Sequence, residues 1–247
     1  MLPRQGVPGG QAQRADSLAR PAPGPVLQRL QRRCSLLPGH GGKHHELVPA
    51  DAERLSVPAH WLPQVIRAFW EKHPNVQVVL HQGDYSSIPE WVRTGAVDFG
   101  FVNPHAVKGL ETMVMKSGEF RAVVPAGHPL AAQKSVTLED LEGEPFLLLE
   151  GGVYSEPEEA FAAAGIVPDV RLRVHDDYSI LSMIEQGMGV SILTELVLCK
   201  TAYDVAALPI DPPVIRTLAV VTKDRRTLPL AARVFIDQLM AQREQLL

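Results

Sequence analysis

The sequence predicts an α/β fold made of two lobes with a cleft between them. Helices and strands alternate along residues 55–247, with a polar loop at each strand-to-helix junction. This order is typical of α/β architecture with mainly parallel strand pairing. Two strand-like runs, near Val124–Leu130 and Ile215–Val220, can carry the chain from one half to the other and back. Two such crossings place a ligand cleft between the lobes.

The first half opens with the clearest helix in the chain. Apolar side chains recur at helical spacing over Ala59–Lys72, and Ser56 and Pro58 stand where an N-cap and an early helical proline belong. Pro63 predicts a bent first turn or a later start. The elements that follow are a strand at Val76–His81, a helix at Ile88–Arg93 and a strand at Val97–Val102.

The second half continues the alternation, with Gly and Pro residues separating the elements. Strands are predicted at Leu110–Met115, Glu119–Val124, Phe146–Leu149, Val170–Val174, Val190–Leu193, Leu208–Ile210 and Thr217–Val221. Helices are predicted at Glu156–Ala164, Ile180–Gln186, Glu195–Leu198 and Pro229–Leu246.

The composition is that of an ordinary soluble globular protein. The chain has 247 residues, of which 45% are hydrophobic and 21% charged, enough for a substantial core. We find no apolar run long enough to span a membrane and no apolar segment typical of a secretory signal. Cys34 and Cys199 stand far apart, so we expect no disulfide and a reduced, cytoplasmic setting.

Charge is distributed unevenly along the chain. Residues 1–50 carry seven Lys or Arg and two Asp or Glu, whereas residues 51–247 carry 17 and 26, so +5 and −9 give the total of −4. An acidic main body is not typical of a nucleic-acid-binding surface. The first 50 residues also hold seven Pro and seven Gly. We therefore predict that residues 1–54 are disordered or not native to the fold.

One stretch resembles a known family: HWLPQVIRAFWEKHPNVQVVLHQGDYSSIPEWVRTGAVDFGFV is similar to the first part of the effector-binding domain of LysR-type transcriptional regulators. The resemblance covers about residues 55–247, and the order and spacing of its pieces make it specific. Its later pieces are Ala122–Pro125, His128–Leu130, Pro145-Phe146, Ser179–Leu196 (SILSMIEQGMGVSILTEL) and the helix that contains Phe235-Ile236.

The resemblance implies a two-lobed, periplasmic-binding-protein-like (type 2) fold with two crossover strands. Subdomain I is expected at 55–124 and 218–247, and subdomain II at 125–217, with a small anionic effector in the cleft. Hydroxyls and free N–H groups at helix starts can bind a carboxylate, and a tyrosine can form a cleft wall. Ser56, Ser86, Ser179, Asp176 and Asp177 could instead only cap helices. The effector contacts that the resemblance implies are Ser56, Tyr85, Ser86, Ser87, Asn103, Gly151, Tyr154, Asp177, Tyr178 and Ser179.

The N-terminal region departs from the family pattern. Such regulators begin with a winged helix-turn-helix and a linker helix, and residues 1–54 are too short and too rich in Pro and Gly to supply either. The family's first strand should precede Ser56. The run Val48–Leu55 contains a proline and three charges, which a central parallel strand tolerates badly. We hypothesise that the first about 50 residues are not native to the fold and that the first lobe lacks this strand.

The leading functional interpretation is the ligand-sensing domain of a bacterial LysR-type transcriptional regulator. The resemblance implies a small-molecule effector, assembly as a homodimer or homotetramer, and DNA contact only through a helix-turn-helix that is not recognisable in this chain. The alternative is the solute-binding protein of a transporter, which would share the fold. An enzyme is not predicted, because the sequence has no Gly-rich phosphate loop, metal-ligand spacing or GxSxG element. No catalytic residue, cofactor, metal or membrane contact is expected.

Overall fold

The structure, a computed structural model, describes residues 46–47, 49–51, 58–198 and 202–245. The predictions for residues 1–45, for Ser56 and for Cys199 lie outside the described residues. None of the helices in the described part is long and apolar enough to cross a membrane.

The first lobe is built from both ends of the described chain. Its N-terminal part contains β1 (Glu46–Leu47), β2 (Pro49–Asp51), α1 (Pro58–Lys72), β3 (Gln77–Val78), β4 (His81–Gln82), α2 (Ser87–Thr94) and β5 (Phe99–Val102). Its C-terminal part is α6 (Leu230–Gln242). The helix predicted from Ala59 therefore begins at Pro58 and contains Pro63, so the later start is wrong.

The second lobe lies between two long strands, β6 (Glu111–Pro125) and β11 (Ile215–Thr222), that run from one lobe to the other. Its own elements are β7 (Pro145–Leu149), α3 (Glu156–Ala164), β8 (Asp169–Val174), α4 (Asp177–Glu185), β9 (Ser191–Thr194), α5 (Glu195–Leu198) and β10 (Val205–Pro209).

The main sheet, as far as the described residues define it, has the strand order β10-β6-β11-β5-β2-β4, and β9 also pairs with β6. β6 is antiparallel to β9, β10 and β11, and β11 is antiparallel to β5. β2 runs parallel to β4 and β5, and β1–β3 and β7–β8 form separate parallel pairs. The prediction of mainly parallel pairing is therefore wrong for the main sheet, because the strands that cross between the lobes return antiparallel to each other.

β6 replaces the two short strands predicted at Leu110–Met115 and Glu119–Val124. The strand is continuous because it changes partners rather than ending at Gly118. Its first part pairs with β11 as far as Glu119, and its last part pairs with β9 and β10. One long strand thus ties the two lobes together.

β2 corrects the expectation that the segment before residue 55 is unsuited to a central strand. Pro49, Ala50 and Asp51 pair with β5 on one side, and Ala50 and Asp51 pair with β4 on the other. Pro49 is tolerated because it is the first residue of the strand, a position at which proline commonly occurs. The other two charged residues of this run, Glu53 and Arg54, lie outside the described residues.

Each lobe has its own hydrophobic core, as two-lobed architecture requires. In the first, the rings of Trp61 and Phe101 meet edge to face with centroids 5.3 Å apart. In the second, Phe146 and Phe161 do the same at 5.3 Å. Such pairs contribute about 0.5–1.5 kcal/mol beyond their burial. β6 takes part in both cores, the first through Met115 and the second through Phe120, Ala122 and Val124.

The chain therefore crosses from the first core to the second within β6 and returns through β11. The predicted subdomain boundaries, 55–124 with 218–247 and 125–217, stay a prediction.

Candidate functional site

A cavity of about 440 Å³ lies between loops of the two lobes. The first lobe contributes the loop before α2 and two residues of that helix, Ser87 and Trp91, and the second contributes the loops before α3 and α4. The described residues that line it are Gln82, Gly83, Asp84, Tyr85, Ser87, Trp91, Phe120, Leu149, Glu150, Gly151, Tyr154, Ser155, Glu156, Pro157, His175, Asp176, Asp177 and Ile192.

Asp84 organises the first-lobe loop. Its Oδ1 accepts hydrogen bonds from the backbone amides of Ser86 (2.9 Å) and Ser87 (2.7 Å) and from the Ser87 hydroxyl (2.8 Å). Partial burial opposes ionisation, but these donors outweigh it, so the pKa of Asp84 lies below its usual value. The prediction that the Ser86 side chain could cap α2 is wrong, because it makes no capping hydrogen bond. The Asp84 carboxylate accepts the free backbone amides of Ser86 and Ser87 instead.

Glu156 is the first residue of α3, and its carboxylate is buried where the lobes meet. Its Oε1 accepts hydrogen bonds from Tyr85 Oη at 3.0 Å and from Asn103 Nδ2 at 2.8 Å. Both donors belong to the first lobe and both are buried. One carboxylate of the second lobe therefore binds two polar groups of the first.

The backbone loops also approach closely across the cleft. The amide of Tyr85 donates to the carbonyl of Gly151 at 3.1 Å. Gly152 has φ +91°, and a Cβ added there would lie 2.7 Å from Ser86 Oγ. The contact between the lobes therefore requires a residue without a side chain at position 152.

The start of α4 forms the third part of the wall. Asp176 caps the helix by accepting the amide of Ser179 at 2.7 Å. Asp177, the next residue, is only 2% exposed and lines the cavity. Asp176 therefore caps this helix, and the Ser179 hydroxyl does not.

The described lining of the cavity is acidic. It includes five carboxylates and neither Lys nor Arg. Arg173 lies outside, bound to Glu150 at 3.2 Å and to Glu158 at 3.0 Å, and these carboxylates raise its pKa. Burial, with the negative charges of Glu156 and Glu159, raises the pKa of Tyr154 above its usual value. No group of His, Cys, Asp and Glu in the described part of the chain is arranged to hold a metal ion.

The structure brings five of the predicted effector contacts into the cavity wall: Tyr85, Ser87, Gly151, Tyr154 and Asp177.

The other predicted contacts stand apart from the wall or outside the described residues. Ser86 and Asn103 lie beside it, since Ser86 adjoins Gly152 and Asn103 binds Glu156. Tyr178 is 47% exposed and, like Ser179, is not among the lining residues. Ser56 lies outside the described residues. Contact of any of these residues with an effector stays a prediction.

Sequence reasoning missed Trp91, Glu156 and His175 as lining residues. Trp91 lies four positions after Ser87 on the same helix, and this spacing places both side chains on one face. The sequence therefore contained a signal that Trp91 lines the same cavity as Ser87. For Glu156, no local pattern separates a carboxylate buried between lobes from an ordinary acidic first turn.

A second cavity, of about 550 Å³, lies along the crossing strands. Glu119 and Arg121 of β6 line it, whereas Phe120, between them, lines the first cavity. Because side chains alternate along a strand, the two cavities lie on opposite faces of β6. The described lining consists of Trp61, Met115, Lys116, Ser117, Gly118, Glu119, Arg121, Thr194, Glu195, Leu196, Arg216, Leu218 and Arg243.

Comparison with known proteins identifies the family. The family model described as the LysR substrate binding domain matches residues 54–244. The chain belongs to this family. Two relatives from Bacillus subtilis (strain 168) are similar to it: the HTH-type transcriptional regulator YvbU, at 29% identity, and the transcriptional dual regulator GltC, at 32%. The matches cover 72% and 74% of this chain and 62% and 63% of the relatives, so the chain spans under two thirds of their length.

Solved structures share the fold. The effector binding domain of QuiR in complex with shikimate has a TM-score of 0.73 at 20% identity, covering 82% of this chain and 99% of that one. The regulatory domain of CcmR from Synechocystis PCC6803 in complex with 2-PG has a TM-score of 0.72 at 22% identity, covering 80% and 97%. The predicted two-lobed, periplasmic-binding-protein-like (type 2) fold is confirmed. The relatives favour a transcriptional regulator and give no support to the transporter alternative.

Proposed function

We propose that this LysR-family domain senses a small effector in the cavity between its lobes and passes the signal to a transcriptional regulator. The observation that carries the proposal is the set of bonds across the cleft. Glu156 of the second lobe holds Tyr85 and Asn103 of the first directly beside an open cavity. A ligand there would contact both lobes and change the free energy of their closure.

The physical mechanism is a shift between two arrangements of the lobes. A ligand changes this equilibrium only by the difference between its affinities for the two arrangements. The loops before α2, α3 and α4 all reach the cavity, so one small molecule can contact three helix starts at once. We propose effector contacts at Tyr85, Ser87, Gly151, Tyr154 and Asp177. Ser56, Ser86, Asn103, Tyr178 and Ser179 remain predicted contacts.

For the whole regulator, we propose a cytoplasmic protein that forms a homodimer or homotetramer and contacts DNA through a helix-turn-helix. Family membership and the curated regulators support this proposal. No catalytic role is proposed. Light scattering during size-exclusion chromatography tests the assembly, and a monomer at all concentrations contradicts it.

Thermal unfolding with a panel of small metabolites, including organic acids, amines and amino acids, tests the effector site. A ligand present at a hundred times its Kd, and bound only to the folded state, adds about 2.7 kcal/mol. The chain offers a matched pair of variants for that ligand. Tyr154→Ala, in the wall, should weaken its binding about tenfold, whereas Trp70→Ala, at an exposed aromatic residue of α1 outside the wall, should not. Equal losses contradict the proposed site.

A further inference from the structure

The wall of the interlobe cavity is rich in aromatic side chains. Tyr85, Trp91, Phe120 and Tyr154 are four of its eighteen described lining residues. Phe, Trp and Tyr together make up only 6% of the chain, so the wall holds several times their average share. Such side chains offer large flat apolar faces to a ligand. The cavity therefore concentrates flat apolar surface where the effector is proposed to bind.

Two of these four aromatic side chains keep accessible surface. Tyr85 and Phe120 are only 2% and 4% exposed, so they support the wall from behind. Trp91 and Tyr154 are half-buried, and both pack against the apolar cluster that contains Tyr85. Trp91 belongs to α2 of the first lobe, whereas Tyr154 belongs to the loop before α3 of the second. Each lobe thus offers one accessible aromatic side chain to a ligand in the cavity.

The position of the Trp91 ring depends on a glycine. A Cβ added at Gly83 would lie 2.7 Å from Cζ3 and 2.9 Å from Cη2 of Trp91, and 2.6 Å from Ser87 Oγ. Gly83 is not among the glycines with positive φ, so the close approach of these side chains, and not the backbone conformation, requires a glycine here. The ring of His81 meets Trp91 edge to face with centroids 6.2 Å apart. Trp91 is therefore held against both His81 and the Gly83 backbone.

We propose that the effector of this domain carries an aromatic ring that binds between Trp91 and Tyr154, and that Trp91 determines the specificity for this ring. The proposal rests on the proposed effector site. Pairs of aromatic rings attract each other beyond the burial of their area, and a saturated ring of the same size lacks this attraction. Because the two residues belong to different lobes, a ring that contacts both favours the arrangement in which the lobes are close. The cavity of about 440 Å³ has room for one such ring with its substituents.

Matched ligand pairs test the aromatic class by thermal unfolding. Benzoate is compared with cyclohexanecarboxylate, benzylamine with cyclohexylmethylamine, and phenol with cyclohexanol, so that charge and carbon count are constant within each pair. We expect one or more aromatic members to stabilise the chain saturably and to bind about tenfold more tightly than the saturated partner.

Two variants, each with its own control, test the role of Trp91. Trp91→Leu keeps an apolar side chain but removes the ring, so the two members of a pair should then bind within about twofold of each other. Trp70→Leu, at an exposed residue of α1 outside the wall, should leave the preference unchanged. Gly83→Ala displaces the Trp91 ring and should weaken the aromatic member about fivefold. Gly127→Ala, where an added Cβ has no atom within 4 Å, is the control and should have no effect.

Each other outcome contradicts a stated part of the proposal. Equal binding by both members of every pair overturns the aromatic class, and the effector site still stands if Tyr154→Ala weakens both. An aromatic preference that survives both Trp91→Leu and Gly83→Ala overturns the role of Trp91. If no aromatic member stabilises the chain at about 10 mM, far above the Kd of an ordinary specific ligand, the aromatic class is also overturned. The effector site is then judged separately, by the wider panel of metabolites.

Discussion

The two cavities beside β6 differ in charge and in the elements that form them. The interlobe cavity is formed largely by loops at helix starts, and its described charged lining, apart from His175, is acidic. The second cavity is formed largely by the crossing strands, and its described lining has four Lys or Arg against two Glu. Side chains from consecutive residues of one strand thus face opposite electrostatic environments.

The difference follows from local chemistry. Helix starts favour Asp, Glu and Ser, which bind the free amides, so a cavity where three helices begin accumulates carboxylates. Long basic side chains on strands can instead lie along the surface. There Arg121 reaches both Glu119 (3.5 Å) and Glu195 (3.2 Å). The interlobe carboxylate Glu156 is buried, whereas the side chains of Glu119 and Glu195 are 45% and 57% exposed, so we expect charge removal to have unequal costs at the two cavities.

The largest expected effect is at Glu156. Glu156→Ala leaves Asn103 Nδ2 buried without its acceptor and removes a bond from Tyr85, so the free energy of unfolding should fall by about 3 kcal/mol. Glu156→Gln keeps an acceptor oxygen and should cost about 1 kcal/mol. Glu195→Ala, at the second cavity, removes an exposed carboxylate and should cost under about 1 kcal/mol. Urea denaturation measures all three. Similar losses at Glu156 and Glu195 would remove the energetic distinction between the cavities.

A smaller effect is expected where the loops meet. Gly152→Ala must hold a side chain at φ +91° and also displace Ser86, so it should cost about 2 kcal/mol. Gly109→Ala is the matched control. That residue has φ +74° with no atom within 4 Å of an added Cβ, so it incurs only the backbone strain, about 1 kcal/mol. The difference between the two variants measures the contact between the lobes. Equal losses in urea denaturation would mean that the loops separate without cost.

Five residues of the cavity wall, Tyr85, Ser87, Gly151, Tyr154 and Asp177, were expected from the resemblance to LysR-type regulators. The polar loops at strand-to-helix junctions agree with these positions. The bonds between the lobes could not be predicted in the same way. Glu156 meets Asn103 and Tyr85 across 53 and 71 positions, and no local pattern encodes such distances.

Two errors in the fold prediction, at β2 and β6, have the same physical origin. β2 has only three residues and pairs with neighbours on both sides, so tertiary contact outweighs its weak local propensity. β6 continues through Gly118 because β11 pairs with it there. In both places the partner strands determine the structure. Strand propensity within the segment alone could not reveal them.

The smallest expected effect is the pH dependence of the first-lobe loop. Asp84 has a folded-state pKa below its usual 3.8, so the folded protein binds this proton less tightly than the unfolded chain. Its contribution to stability is therefore complete above pH 3.8 and is lost as the pH falls through the folded-state pKa. The difference in unfolding free energy between Asp84→Asn and the wild type should be constant above about pH 5 and shrink in more acidic solution.

Ser87→Ala sharpens this test, because it removes the hydroxyl that donates to Asp84 and leaves both backbone amides in place. With fewer donors, the pKa of Asp84 should rise toward its usual value, and its contribution should then be lost at higher pH than in the wild type. Urea denaturation across the acid range, with Asp84→Asn made in both backgrounds, measures the displacement. A difference that does not vary with pH would show that the Asp84 carboxylate does not support the loop through its charge.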